Sequence, residues 1–266
     1  MEIKKVILPD CEEGVRLDVY TRSGKVRDAL LIMPGGAYET VCEDHEGWPV
    51  AMAFMQKGFN CFVLTYSVKE KGRFPKPLIE ASKAMKYIYD NAEELGVNKD
   101  RIFALGFSAG GHLCASLGTL WHLEEVQKAS GALNGENKPK GILPIYPVIS
   151  SDPQIAHRYS FYNLLGEGKS EEEYKKCSLE FCVDEKTSPA FLAHSANDKG
   201  VNVNNSIRFA AKLSEHKIPF ELHIFEDAIH GMSLSMPITA ENVESWDNPH
   251  NAHWVELADE WMKMQK

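Results

Sequence analysis

Apolar residues in this chain follow two alternating patterns: short unbroken runs, and longer stretches in which they recur every third or fourth position. The short runs predict strands near 3–8, 15–20, 28–33, 60–65, 101–106, 141–146, 189–194 and 219–225. A turn around Glu13-Gly14 joins the first two. The middle runs are apolar at successive positions rather than alternate ones, as in strands covered on both faces. Helical spacing predicts a helix over 48–57 that ends at Gly58, with Trp48, Ala51, Met52 and Met55 on its inner stripe. A second runs over 77–94, with Ile79, Ala84, Tyr87 and Ile88 inward and Gly96 beyond its end. A third starts just after Ser108, and the last two span 203–216 and 251–264.

Strands alternating with helices are the signature of an α/β domain. The expectation is a three-layer α/β/α sandwich whose eight-stranded central sheet opens with a hairpin and is mostly parallel thereafter. No internal repeat or interdomain linker divides residues 1–266, so one domain is expected. The stretch from Ser150 to Ser188 breaks the rhythm: it is long for a helix–strand connection and lacks an obvious strand. It reads as an insertion, or cap, over one end of the sheet.

Composition adds exclusions. With 266 residues, 44% apolar and 25% charged, the chain can build a sizeable core, so a disordered tail, a collagen-like rod and a disulfide-stapled miniature are excluded. Its 29 basic against 38 acidic residues give a formal charge of −9, with no Lys/Arg cluster to offset it, which argues against nucleic acid as a partner. Before Pro9 the only apolar run is Val6-Ile-Leu8, well short of the roughly 7–15 residues of a signal-peptide core. No later run approaches the ~20 apolar residues that cross a bilayer. A cytoplasmic protein without a membrane partner is the expectation. Cys11, Cys42, Cys61, Cys114, Cys177 and Cys182 include no Cys-x-x-Cys pair and read as reduced thiols.

Candidate chemistry concentrates where predicted strands end. Gly106-Phe-Ser-Ala-Gly110 follows the fifth strand and opens a helix. A serine on such a strand-to-helix turn sits on strained backbone with its hydroxyl clear of the sheet, and small neighbours let helix and strand approach closely. Ser108 is therefore the candidate nucleophile, and Ala109 supplies a backbone N–H where an oxyanion would form. A serine needs a base. Of ten histidines, His230 follows the last predicted strand on a loop, beside Gly231. His45, His157, His216 and His223 lack comparable placement, and His112 belongs to the helix after Ser108 and suits packing. The orienting carboxylate is assigned to Asp198, in the exit loop of the strand over 189–194, in preference to Asp227, only three residues from His230. Pro34-Gly-Gly-Ala37 follows the third strand, and N–H groups of Gly36 and Ala37 could join that of Ala109 in an oxyanion hole. All four loops leave the carboxyl edge of a parallel sheet, where such folds place ligands.

Together, Met33-Pro-Gly-Gly-Ala-Tyr38, Gly106-Phe-Ser-Ala-Gly-Gly-His-Leu113, His194-Ser-Ala-Asn-Asp198 and His230-Gly-Met232 resemble the α/β-hydrolase fold. More narrowly they resemble short-chain esterases similar to acetylxylan esterases and hormone-sensitive-lipase-like esterases. The resemblance covers roughly residues 15–264. It departs from the lipase-like His-Gly-Gly-Gly at Pro34-Gly-Gly-Ala37, which excludes a glycine-only conformation at residue 37, and from Val-x-Pro at Gly200-Val-Asn202. It implies a serine esterase acting on short, chiefly acetyl, esters of carbohydrates through an acyl-enzyme, with no metal or organic cofactor. Tyr38, Trp48 and Met232 are the expected substrate-binding residues, and Tyr159, Tyr162 and Trp246 are aromatics that could stack on sugar rings. A serine peptidase, a general carboxylesterase or lipase, and a non-catalytic binding protein are the alternatives. No motif specifies assembly, and a two-fold homodimer is compatible with the chain.

Overall fold

The computed structural model describes residues 1–239 and 247–266. Strands β1 (Glu2–Ile7) and β2 (Arg16–Thr21) form the expected hairpin. β3 (Arg27–Met33), β4 (Asn60–Thr65), β5 (Val97–Phe107), β6 (Ile142–Ile145), β7 (Ala190–Ser195) and β8 (Phe220–Phe225) complete one sheet in the order β1-β2-β4-β3-β5-β6-β7-β8. β2 pairs antiparallel with both neighbours, and every pairing from β4 onward is parallel. β5 begins earlier than its apolar run, because polar Asn98-Lys-Asp-Arg101 precedes it while Val97 already pairs with Arg27.

The helices are α1 (Glu43–Glu46), α2 (Trp48–Lys57), α3 (Lys76–Asp90), α4 (Ala92–Leu95), α5 (Ser108–Leu120), α6 (Glu124–Ser130), α7 (Arg158–Leu165), α8 (Glu171–Lys175), α9 (Asn204–Glu215) and α10 (Pro249–Met264). Successive strand residues point to opposite sheet faces, and the core divides accordingly. Ala29, Leu31 and Met33 of β3 join Ile102 and Ala104 of β5 beneath α3, α5, α6 and α9. Leu30 and Ile32 join Phe103, Leu105 and Phe107 beneath α2 and α10. Two buried faces explain the unbroken apolar runs, and three layers result. Each fully buried Leu, Ile or Phe adds about 1.5–3 kcal/mol relative to exposure.

Helix α2 presents a different stripe from the one its spacing predicts. Val50, Ala51, Phe54 and Met55 are buried, whereas Trp48 is exposed. The helix over 77–94 divides at Asn91 into α3 and α4, with Leu78, Ala81 and Met85 deeper than Ile79 or Tyr87.

Residues 150–188 contain α7, α8 and a short 3₁₀ turn, Leu179–Phe181. Phe161, Tyr174 and Cys177 form a small buried cluster with Val148 and Val201. Asn163 Nδ2 donates to the carbonyl of Ala37 (3.0 Å), and His112 of α5 donates through Nε2 to the carbonyl of Cys177 (2.9 Å). The segment is thereby tied to the glycine-rich loop and to α5. All six cysteines are free thiols. Among the described residues, no helix is long and apolar enough to cross a membrane.

Candidate active site

Five loops meet at the carboxyl edge of the sheet, after β3, β5, β6, β7 and β8. At the end of β5 the chain turns directly into α5, and Ser108 has φ +52°. That left-handed conformation is strained for a residue with a Cβ. The flanking glycines permit it: a Cβ on Gly106 would lie 2.0 Å from the carbonyl oxygen of Gly110, and one on Gly110 would lie 2.1 Å from that of Met33. Only glycine fits where helix, elbow and β3 crowd together.

Ser108 Oγ lies 2.9 Å from His230 Nε2, and His230 Nδ1 lies 2.8 Å from Asp198 Oδ2. A carboxylate can only accept, so Nδ1 carries the proton and Nε2 accepts from the serine. Asp198 is itself fixed. Its Oδ1 accepts the N–H groups of Gly200 (2.8 Å) and Val201 (2.9 Å), and His194 Nε2 approaches Oδ2 at 3.3 Å. Burial pushes the Asp198 carboxyl up, but the hydrogen bonds from His194 and His230 outweigh it and hold the group well below the usual carboxylate range. Asp227, the alternative orienting acid, accepts instead from Asn197 Nδ2.

Gly36 and Ala37 follow β3. Among the described residues no hydrogen bond engages either N–H. Ala37 takes φ +57°, a left-handed conformation an alanine can adopt. Ala109, in the first turn of α5, has an N–H without an intrahelical acceptor. Gly36, Ala37 and Ser108 line the same cleft as His230.

The cleft holds about 660 Å³, within the range of small-molecule sites. Cys42, Asp44, His45, Glu46, His157, Tyr159, Gly231, Ile238 and Thr239 complete its wall. The three expected substrate-binding residues are absent from that wall. Tyr38 and Met232 are only 1% exposed in the core, and Trp48 is exposed elsewhere on α2. Tyr38 donates its hydroxyl to His112 Nδ1 (2.9 Å), which explains its burial. Tyr159 does reach the cleft, Tyr162 packs against Tyr174, and Trp246 lies outside the described residues.

Sequence reasoning passed over His45, His157, Glu46 and Tyr146. His45 donates from Nε2 to the carbonyl of Gly231 (2.5 Å), beside His230. His157 comes from the 150–188 segment; burial lowers its pKa, as does the charge of His230, against an opposing pull from Asp198. Tyr146 follows β6 immediately, so the rule that selected the other four loops would have selected it too. Glu46 carries no local signal, because only tertiary packing buries it.

This sheet order, with its serine at the β5–α5 turn, is that of the α/β-hydrolase fold. The BD-FAE family model matches residues 17–213, well over half the chain, and the chain belongs to that family, related to acetylxylan and lipase-like esterases. The chain is similar to endo-1,4-beta-xylanase B of Butyrivibrio fibrisolvens, at 35% identity over 79% of this chain and 33% of that protein. It is also similar to an acetylxylan esterase of Xylanibacter ruminicola, at 27% identity over 88% of this chain and 45% of that protein. It thus spans less than half the length of these two relatives. The crystal structure of an acetyl ester-xyloside bifunctional hydrolase from Caldicellulosiruptor lactoaceticus superposes with a TM-score of 0.80 at 31% identity, covering 96% of this chain and 91% of that one.

Proposed function

We propose that this protein is a serine esterase that removes short acyl groups, chiefly acetyl, from carbohydrates. The observation that carries the proposal is the unbroken chain Ser108–His230–Asp198, with links of 2.9 and 2.8 Å. In this reading Ser108 Oγ attacks the ester carbonyl while His230 Nε2 takes its proton, and Asp198 stabilises the resulting imidazolium. The N–H groups of Gly36, Ala37 and Ala109 receive the oxyanion. His230 returns the proton to the departing alcohol, leaving the acyl group on Ser108. Water, deprotonated by His230, then releases the acid and restores the hydroxyl.

The likeness to an acetylxylan esterase and to an acetyl ester-xyloside hydrolase supports a sugar ester as substrate. So does a cleft wall that, besides His230, mixes Asp44, Thr239, His45 and His157 with an exposed tyrosine, Tyr159. We assign residues 150–188, which contribute His157 and Tyr159, to the wall that faces the alcohol moiety. Six free thiols suit a reducing compartment.

The test is acetate release from a panel of acetylated mono- and oligosaccharides, with a simple ester series from acetyl to octanoyl alongside. Turnover should favour acetyl, and Ser108→Ala should lower it at least about 10⁴-fold while leaving the circular dichroism spectrum unchanged. A parent activity that survives the substitution at full rate overturns the nucleophile; a preference for octanoyl overturns the short-acyl assignment.

A further inference from the structure

We infer that Glu46 is a positioning residue that sets the oxyanion loop and the histidine loop against each other, acting through Gly35 on one side and Tyr146 on the other. The inference rests on the serine-esterase reading above. Glu46 ends the four-residue helix α1 and is 3% exposed. Its two oxygens do different work. Oε2 accepts the N–H of Gly35 (2.7 Å), the residue before Gly36 and Ala37. Oε1 accepts the hydroxyl of Tyr146 (2.7 Å).

Tyr146 carries the link onward. Its hydroxyl oxygen accepts the N–H of Ser233 (3.0 Å), three residues beyond His230. Its ring stands edge-on to the His230 imidazole, with centroids 5.2 Å apart and planes at 73°. α1 grips the same loop a second time: His45 Nε2 donates to the carbonyl of Gly231, and Ser233 Oγ donates to the carbonyl of His45 (2.8 Å). One short helix therefore holds both the groups that would receive the oxyanion and the base that would take the serine proton.

The chemistry requires a carboxylate. Two donors converge on Glu46 from separate elements, and an ionised carboxylate accepts on both oxygens. A glutamine offers one acceptor and one N–H₂. With its N–H₂ toward Gly35 two donors oppose each other and that loop loses its anchor. With its N–H₂ toward Tyr146 the hydroxyl oxygen, which already accepts from Ser233, must accept again while its own proton loses its acceptor. The Tyr146 hydroxyl stays protonated, because burial and then the nearby Glu46 charge push it well above the ordinary tyrosine range. A buried acid that only filled space would not need two acceptors aimed at two catalytic loops.

The test compares the parent with Glu46→Gln and Tyr146→Phe on a short acetyl ester. The readouts are kcat, KM and the inhibition constant of a trifluoromethyl ketone, which adds to the serine as a tetrahedral mimic. Glu46→Gln should lower kcat roughly 10- to 100-fold with KM within about threefold, and should weaken the ketone by the same factor as kcat/KM. Tyr146→Phe, which loses only the second arm, should lower kcat roughly 3- to 10-fold, and the double variant should fall no further than Glu46→Gln alone. If Glu46→Gln fails to fold, Tyr146→Phe with unchanged kcat and ketone affinity overturns the inference. A folded Glu46→Gln that matches an active parent overturns it and leaves the esterase reading intact. A parent that hydrolyses no ester overturns both.

Discussion

Gly200 lies in the loop that carries Asp198, and its importance is visible only in three dimensions. A Cβ there would sit 2.7 Å from both Cβ and Cγ of His230. Those atoms are the root of the imidazole and cannot swing aside as a flexible tip could. Gly200→Ala should therefore push the ring off the 2.9 Å contact with Ser108, and displacement by even an ångström can cost about 100-fold in rate. We expect kcat to fall at least about tenfold while the melting temperature moves by only a few degrees; steady-state kinetics beside a thermal scan checks both, and an unchanged kcat refutes the steric account. At this scale the sequence is informative wherever chemistry is encoded locally. Ser108 is legible because Gly106 and Gly110 must accompany a serine on so tight a turn. Asp198 and His230 are legible because each follows a late strand. Glu46 is not, since nothing in Glu43-Asp-His-Glu46 distinguishes the acid that is buried from those that are not. Tyr38 and Met232 mislead for the complementary reason: they adjoin site residues in sequence yet point inward.

Helix α5 and the segment over 150–188 meet at His112, which is 1% exposed. Its Nε2 donates to the carbonyl of Cys177 and its Nδ1 accepts from Tyr38, an arrangement only the neutral ring satisfies in full. Burial drives its pKa from 6.5 to about 4, the Cys177 carbonyl opposing only in part. For a base depressed in the folded state, the unfolded chain binds the extra proton between those two values. Stability from His112 is thus intact above about pH 6.5 and is lost progressively as pH falls to about 4, some 3 kcal/mol in all. Urea unfolding across that window should show a slope that His112→Asn reduces by about one proton; an equal slope in both proteins contradicts the buried neutral imidazole. The major elements were legible for a related reason. Strands buried on two faces, and helices long enough to show a stripe, declare themselves by periodicity. The short helices α1, α6, α7 and α8 span seven residues or fewer, apart from α7 with eight, too little for a period to emerge. They exist because the surrounding fold holds them, with the Ser170–Glu173 capping box of α8 as a local exception.

Across the whole molecule, parallel pairing from β4 to β8 is what converts positions far apart in the chain into one site. Every strand in that row delivers its following loop to the same edge, so residues 35–37, 108, 146, 198 and 230 converge without any contact between them in sequence. The same chain has a formal charge of −9, and Asp44 and Glu46 both line the cleft. Such a field repels anionic ligands before they bind and leaves neutral ones indifferent. Under the function proposed above, neutral acetyl sugars should therefore enter this cleft more readily than esters whose alcohol carries a carboxylate. Raising ionic strength from about 10 mM to about 150 mM shortens the screening length from roughly 30 Å to roughly 8 Å. Over that range kcat/KM for a neutral acetyl sugar should change by less than about twofold, whereas kcat/KM for an anionic acetyl ester should rise severalfold as the repulsion is screened. Asp44→Asn, which removes an exposed charge at the cleft without touching the Ser108–His230–Asp198 chain, should reproduce part of that gain at low salt. If instead the anionic ester is the better substrate at about 10 mM and loses rate on addition of salt, repulsion by the acidic residues does not govern what enters the cleft.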